Sequence, residues 1–130
     1  MNVVDSSGWL EYFANGVNAA FFKEPIQNTQ ELVVPTISLY EVFKRILQQR
    51  GETEALQAVS FMILGTTAEL TTALALHAAK ISDELGIPMA DSIMLATARE
   101  YDAVLWTQDS DFRDLVGVQF TEAKSQGSGH

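Results

Sequence analysis

The stretch Asn2-Val3-Val4-Asp5-Ser6-Ser7 decides how this chain is read. A short apolar run ends in a carboxylate, two helix-starting serines follow, and Trp9, Leu10, Tyr12 and Phe13 then recur at helical spacing. A buried parallel strand looks like this when it delivers a polar side chain to its carboxyl end and turns directly into a helix. The arrangement recurs downstream, and each time an acid stands close to a strand end or a helix start.

A chain of 130 residues is expected to fold as one domain with a core of its own. The absence of cysteine excludes a disulfide framework and thiolate metal ligation. No run of about 18 apolar residues occurs and the amino terminus carries no leader pattern, so a cytoplasmic, soluble protein with no membrane association is expected. The net charge of -9, with only eight Lys and Arg residues, argues against a broad basic surface for nucleic acid. A nucleic-acid substrate would need a bound cation to offset the local repulsion, or a positively charged partner to cover the acidic surface.

Asn15-Gly16 stops the first helix, and a second is expected over residues 17–24, ended by Pro25. Leu32 to Pro35 reads as a strand. The next helix is expected from Ser38, where Ser38 and Glu41 form an S-x-x-E capping box, to Arg50, with Gly51 as a left-handed cap. Residues 53–64 make another amphipathic helix, 66–70 a short edge strand, and 71–85 a long helix ended by Gly86. Pro88 opens a further helix, in which Asp91 lies in line with the apolar residues Met94, Leu95 and Ala98 and so needs a partner. Residues 103–107 form a strand, residues 108–112 turn into a short helix, and residues 118–121 form the last strand. Strands alternating with helices predict an α/β domain with a mostly parallel sheet over residues 1–123. The polar, glycine-rich tail at 124–130 reads as partly appended sequence and is set aside.

Each acid has a local explanation. Asp5 can cap the first helix, Glu41 can complete the capping box or pair with Lys44 and Arg45, and Asp91 can favour a helix amino terminus. Asp109 and Asp111 can be turn residues. Taken together they suggest more, because the carboxyl ends of parallel strands border a single crevice. Several carboxylates there repel one another unless a cation sits among them, and Mg²⁺ or Mn²⁺ suits an all-oxygen donor set.

Four segments in order carry a resemblance: Val4-Asp5-Ser6-Ser7, Ser38-Leu39-Tyr40-Glu41-Val42, Pro88-Met89-Ala90-Asp91-Ser92-Ile93, and Trp106-Thr107-Gln108-Asp109-Ser110-Asp111-Phe112. With these the chain resembles the PIN-domain nucleases, and most closely the VapC-type toxins of bacterial toxin-antitoxin pairs. The resemblance implies a three-layer α/β/α domain with strand order 3-2-1-4-5. It also implies an acidic quartet of Asp5, Glu41, Asp91 and Asp109, with Ser6 and Thr107 as supporting hydroxyls and Asp111 as an auxiliary acid at the metal. Gln108 departs from the pattern, standing where many relatives carry a basic residue. Which of Asp109 and Asp111 faces the metal is open at this point.

The chemistry implied is hydrolysis of an RNA phosphodiester with Mg²⁺ or Mn²⁺, by an endoribonuclease that acts as the toxin of a type II pair. A homodimer and a small cognate antitoxin are also implied. The antitoxin would lie in a groove to which Trp9, Tyr12, Phe13, Phe21 and Phe22 contribute where they are not core. Lys44, Arg45, Lys80, Arg99 and Arg113 are the candidate phosphate contacts, whereas His77 reads as a helix-face residue. A receiver domain would need adjacent acids after the first strand and a lysine after the last, and a haloacid-dehalogenase-type phosphatase would need Asp at position 7. Neither pattern is present. The alternative kept is a non-catalytic PIN fold that binds RNA or assists assembly.

Overall fold

Val3 and Val4 are adjacent, wholly buried, and face opposite ways. In the computed structural model of the protein, which describes residues 1–124, they lie on the central strand of the sheet. Val3 packs with Val33 and Leu105 against one helical layer, and Val4 packs with Val34 against the other. This period-two alternation across a sheet buried on both sides makes a three-layer fold. The strands are β1 (Asn2–Val4), β2 (Leu32–Pro35), β3 (Thr66–Ala68), β4 (Val104–Thr107) and β5 (Val118–Phe120), all parallel in the order β3-β2-β1-β4-β5. The expected α/β class and strand order are therefore found.

Among the described residues, six helices cover the sheet. On the Val4 side lie α1 (Ser6–Phe13), α2 (Ala19–Gln27), α3 (Thr36–Arg50) and α4 (Glu52–Met62); on the Val3 side lie α5 (Thr72–Leu85) and α6 (Met89–Glu100). Short 3-10 turns occupy Thr29–Glu31 and Ser110–Phe112. Trp9, Phe22, Ile26 and Met62 fill one core, while Leu74, Ile81, Met94 and Phe112 fill the other. None of the described helices is long and apolar enough to cross a membrane.

Several local expectations change in the fold. Pro25 does not end α2, which runs on to Gln27, because Phe22, Pro25 and Ile26 form one buried stripe that holds the last turn past the proline. The helix α3 starts at Thr36, directly from β2, with Pro35 in the cap position. The capping box does not form. Ser38 is wholly buried and its Oγ donates to Met94 Sδ at 3.2 Å, which leaves the Glu41 carboxylate free to reach elsewhere. Gly51 has φ +93 but ψ 176, a positive-φ extended conformation rather than a left-handed helical one. The helix α4 ends at Met62, and β3 pairs only over Thr66–Ala68 at the sheet edge. Of the tail assigned to residues 124–130, only Lys124 lies within the described residues.

Candidate functional site

The alternation that sorts the core also aims the first acid. Val3 pairs in register with Leu105 and Val4 with Trp106, so Asp5 and Thr107 come next, on the Val3 side, facing α6. The backbone continues the pairing for one more step, with Asp5 N–H donating to Trp106 C=O at 3.1 Å.

Asp5 is held at both carboxylate oxygens. Its Oδ2 accepts from Thr107 Oγ1 at 2.6 Å, and its Oδ1 accepts from Gly8 N–H and Ser7 Oγ, each at 2.9 Å. It therefore caps α1 and also faces the site, so the two sequence readings of this residue are compatible. Burial pushes its carboxyl up to about 6; the bonds from Thr107, Gly8 and Ser7 act against that rise, and the charge of Asp109 adds to it.

Thr107 is buried and links two acids. While its hydroxyl donates to Asp5, its Oγ1 accepts from the backbone N–H of Asp109 at 2.9 Å. Asp109 Oδ1 in turn accepts from the backbone N–H of Asp111 at 2.9 Å and caps the short turn there. These bonds fix the acid loop that follows β4 to the end of β1.

Asp91 enters from the first turn of α6, half-buried. One carboxylate oxygen each from Asp91, Asp109 and Asp111 lie within 4.8 Å of one another. Burial and then the charge of Asp109 push the Asp91 carboxyl up to about 7, with Asp111 and Asp5 adding to the effect. Three carboxylates this close are unfavourable unless a proton or a cation lies between them. An all-oxygen anionic donor set fits a hard divalent ion such as Mg²⁺ or Mn²⁺. Asp109 and Asp111, between which the sequence left the choice open, both bring an oxygen to this cluster.

Glu41 sits apart from that trio of oxygens. Its Oε1 accepts from Ser6 Oγ at 2.6 Å, which ties α3 to the start of α1 beside Asp5. Sequence reasoning missed a second tie. The buried Asn18 donates from Nδ2 to Gln108 Oε1 and to the Glu122 carbonyl, both at 2.9 Å, while its backbone N–H donates to Glu11 Oε2 at 2.8 Å. Asn18 thus joins the α1–α2 turn, the acid loop and the chain after β5. No local pattern points to it, because its partners are far away in sequence.

Beside the site, a groove of about 810 Å³ runs between α1, α3 and α4, with Ser7 and Gln108 at the acid end and Arg45 and Arg50 along it. Of the five aromatic residues expected to line a partner groove, Phe13 does so. Trp9 and Phe22 are wholly buried in the core, and Tyr12 and Phe21 pack against it. Among the candidate phosphate contacts, Arg113 is paired with Glu122, whereas Lys44 and Arg45 are exposed on α3.

No curated protein matches the chain significantly in sequence. Solved structures do match in fold. A toxin-antitoxin complex from Klebsiella pneumoniae contains a chain that superposes with a TM-score of 0.76 at 19% identity, covering 92% of this chain and 96% of that one. VapC20 of Mycobacterium tuberculosis, described as a Sarcin-Ricin loop cleaving toxin, gives 0.70 at 18% identity over 86% of this chain and 92% of that one. VapBC2 from Rickettsia felis, bound to a DNA fragment from its promoter, gives 0.71 at 11% identity over 93% and 97%. At these identities the likeness is one of fold. The family model described as PIN domain matches residues 3–118, a span that begins in β1 and ends at β5 and holds all five acids, and the chain therefore belongs to the PIN domain family.

Proposed function

We propose that the protein is a metal-dependent endoribonuclease that hydrolyses RNA phosphodiester bonds in the cytoplasm and serves as the toxin of a type II toxin-antitoxin pair. The observation that carries this reading is the convergence of Asp91, Asp109 and Asp111 oxygens within 4.8 Å, on a site whose next wall is the buried Asp5. Mg²⁺ or Mn²⁺ held there would acidify a bound water and neutralise charge on the phosphoryl oxygens.

The chain's own part is positioning. Asp91, Asp109 and Asp111 would hold the ion, and Asp5 completes the acidic wall with its orientation set by Thr107, Ser7 and Gly8. Glu41, oriented by Ser6, closes the side toward α3. In-line displacement at phosphorus depends on placement and electrostatics more than on a protein nucleophile, so no serine or cysteine triad is required. Two of the fold neighbours named above, those from Klebsiella pneumoniae and Rickettsia felis, come from toxin-antitoxin complexes, which supports a cognate antitoxin as partner, and a homodimer is proposed with it.

The test is cleavage of RNA by the purified protein with Mg²⁺, with Mn²⁺ and with EDTA, using Asp5→Asn and Asp91→Asn as controls. Cleavage is expected only with metal and only in the wild type. Cleavage that survives both substitutions would rule the site out, and RNA that is bound but never cut would favour a binding module.

A further inference from the structure

Tyr40, Glu41, Lys44, Arg45 and Gln48 recur at helical spacing on one face of α3 and line a shallow cavity of about 220 Å³. Glu41 is the link between this hollow and the acidic site, because its carboxylate accepts the hydrogen bond from Ser6, the residue after Asp5. Through Glu41 the hollow therefore borders the acidic site on its α3 side.

Two features make it more than an ordinary solvated helix face. Tyr40 is 60% exposed and is the only Phe, Tyr or Trp among the described residues to be exposed; the others are buried or half-buried. The Lys44 ammonium lies over one side of the Tyr40 ring, 5.8 Å from the centroid. The second feature is unpaired positive charge in a chain of net charge -9. Among the described residues the ion pairs are Arg50 with Glu54 and Arg113 with Glu122, so neither Lys44 nor Arg45 has a carboxylate partner. An aromatic ring beside cations that no carboxylate neutralises is a combination by which proteins hold single-stranded nucleic acid, with a base stacked on the ring and phosphates on the charges.

We propose that this face of α3 is a substrate subsite, where Tyr40 stacks a base of the RNA strand while Lys44 and Arg45 take phosphates flanking the one held at the acids. The proposal rests on the nuclease reading above and adds to it where the strand lies. It also offers so acidic a protein a local place to hold a polyanion, since Lys44 and Arg45 are adjacent and exposed on α3.

Two measurements on the same fluorescein-labelled, mixed-sequence, single-stranded 20-nucleotide RNA test it. Binding is read by anisotropy with Ca²⁺ in place of Mg²⁺, and cleavage by steady-state kinetics with Mn²⁺, for wild type, Tyr40→Ala, Tyr40→Phe, the double variant Lys44→Gln/Arg45→Gln, and Lys23→Gln as a charge control on α2. Tyr40→Ala is expected to weaken binding about tenfold, with Tyr40→Phe close to wild type. The double variant is expected to reduce the slope of log K against log salt by about 0.7 for each phosphate that is no longer neutralised, with KM raised more than kcat is lowered. Wild-type cleavage with unchanged KM and salt slope in these variants would overturn the subsite and leave the nuclease standing. A wild type that neither binds nor cuts overturns both. Variants that lose affinity for poly-glutamate but not for RNA would show the face to be a protein-binding surface instead.

Discussion

Thr107 and Asp5 share a 2.6 Å hydrogen bond between buried side chains that lie 102 residues apart in sequence, at the ends of neighbouring strands. Removing the donor leaves a buried carboxylate oxygen unsatisfied and releases the N–H of Asp109, which Thr107 also holds. Thr107→Val is therefore expected to lower the free energy of unfolding by about 1–3 kcal/mol. Urea denaturation measures the loss. Thr107→Ser, which keeps the hydroxyl, should recover most of it, and equal stability of Val and wild type would contradict the role given to this bond.

The acids set the pH behaviour of the metal-free protein. Asp5 and Asp91 lie at about 6 and about 7, above an ordinary value of 3.8. A carboxyl raised on folding favours the native state in its protonated form, so its contribution is full below about pH 4 and is lost as pH rises through about 6 to 7. The metal-free chain should become less stable over that window, the reverse of what salt-bridged carboxylates do. In EDTA, the Tm of Asp91→Asn should match wild type near pH 4 and exceed it by a few degrees at pH 8. A gap that does not grow with pH would count against a strained acid cluster.

Metal should reverse that penalty. At free Mn²⁺ of about 100 times its Kd, the stabilisation expected from linkage is about 2.7 kcal/mol. The rise in Tm should disappear in Asp91→Asn. Because the Asp91 carboxyl lies at about 7, binding at neutral pH should also release protons, which calorimetry in buffers of different ionisation enthalpy counts. A proton count of zero at pH 7 would mean that the ion binds elsewhere.

Gly8 sets two effects against each other. Alanine is favoured over glycine within a helix by up to about 1 kcal/mol. Here a Cβ would stand 2.5 Å from Phe22 Cε1 and 2.8 Å from Val4 Cγ1, both on wholly buried side chains. Overpacking of that kind costs about 1–3 kcal/mol, so Gly8→Ala should be net destabilising. An unchanged or raised Tm would show that the packing between α1, α2 and β1 relaxes more easily than these distances suggest.

Much of this architecture could be read from short runs of residues. The apolar pairs Val3-Val4 and Val33-Val34 announce a sheet covered on both faces, and Asp91 in line with Met94 and Leu95 announces a carboxyl that must turn inward. Ser38 and Glu41 show where such reading stops, since S-x-x-E is the same string whether it caps a helix or lies inside one. Burial of Ser38 against Met94, fifty-six positions away, decides the matter. Pro25 is similar: a helix breaker by its own chemistry, yet retained in α2 because Phe22 and Ile26 on either side are buried. The Asn18 junction is beyond any local rule, as its partners Gln108 and Glu122 come from the far end of the chain.

That junction ties the segment just after β5 to the loop that carries Asp109 and Asp111. Asn18 grips the Glu122 carbonyl and, with the same amide nitrogen, the side chain of Gln108, one residue before Asp109. A chain shortened to Thr121 keeps every strand but loses one of those two anchors, and its metal affinity should fall more than its melting temperature does. Erosion by a carboxypeptidase would then loosen the acid loop while the scaffold still stood.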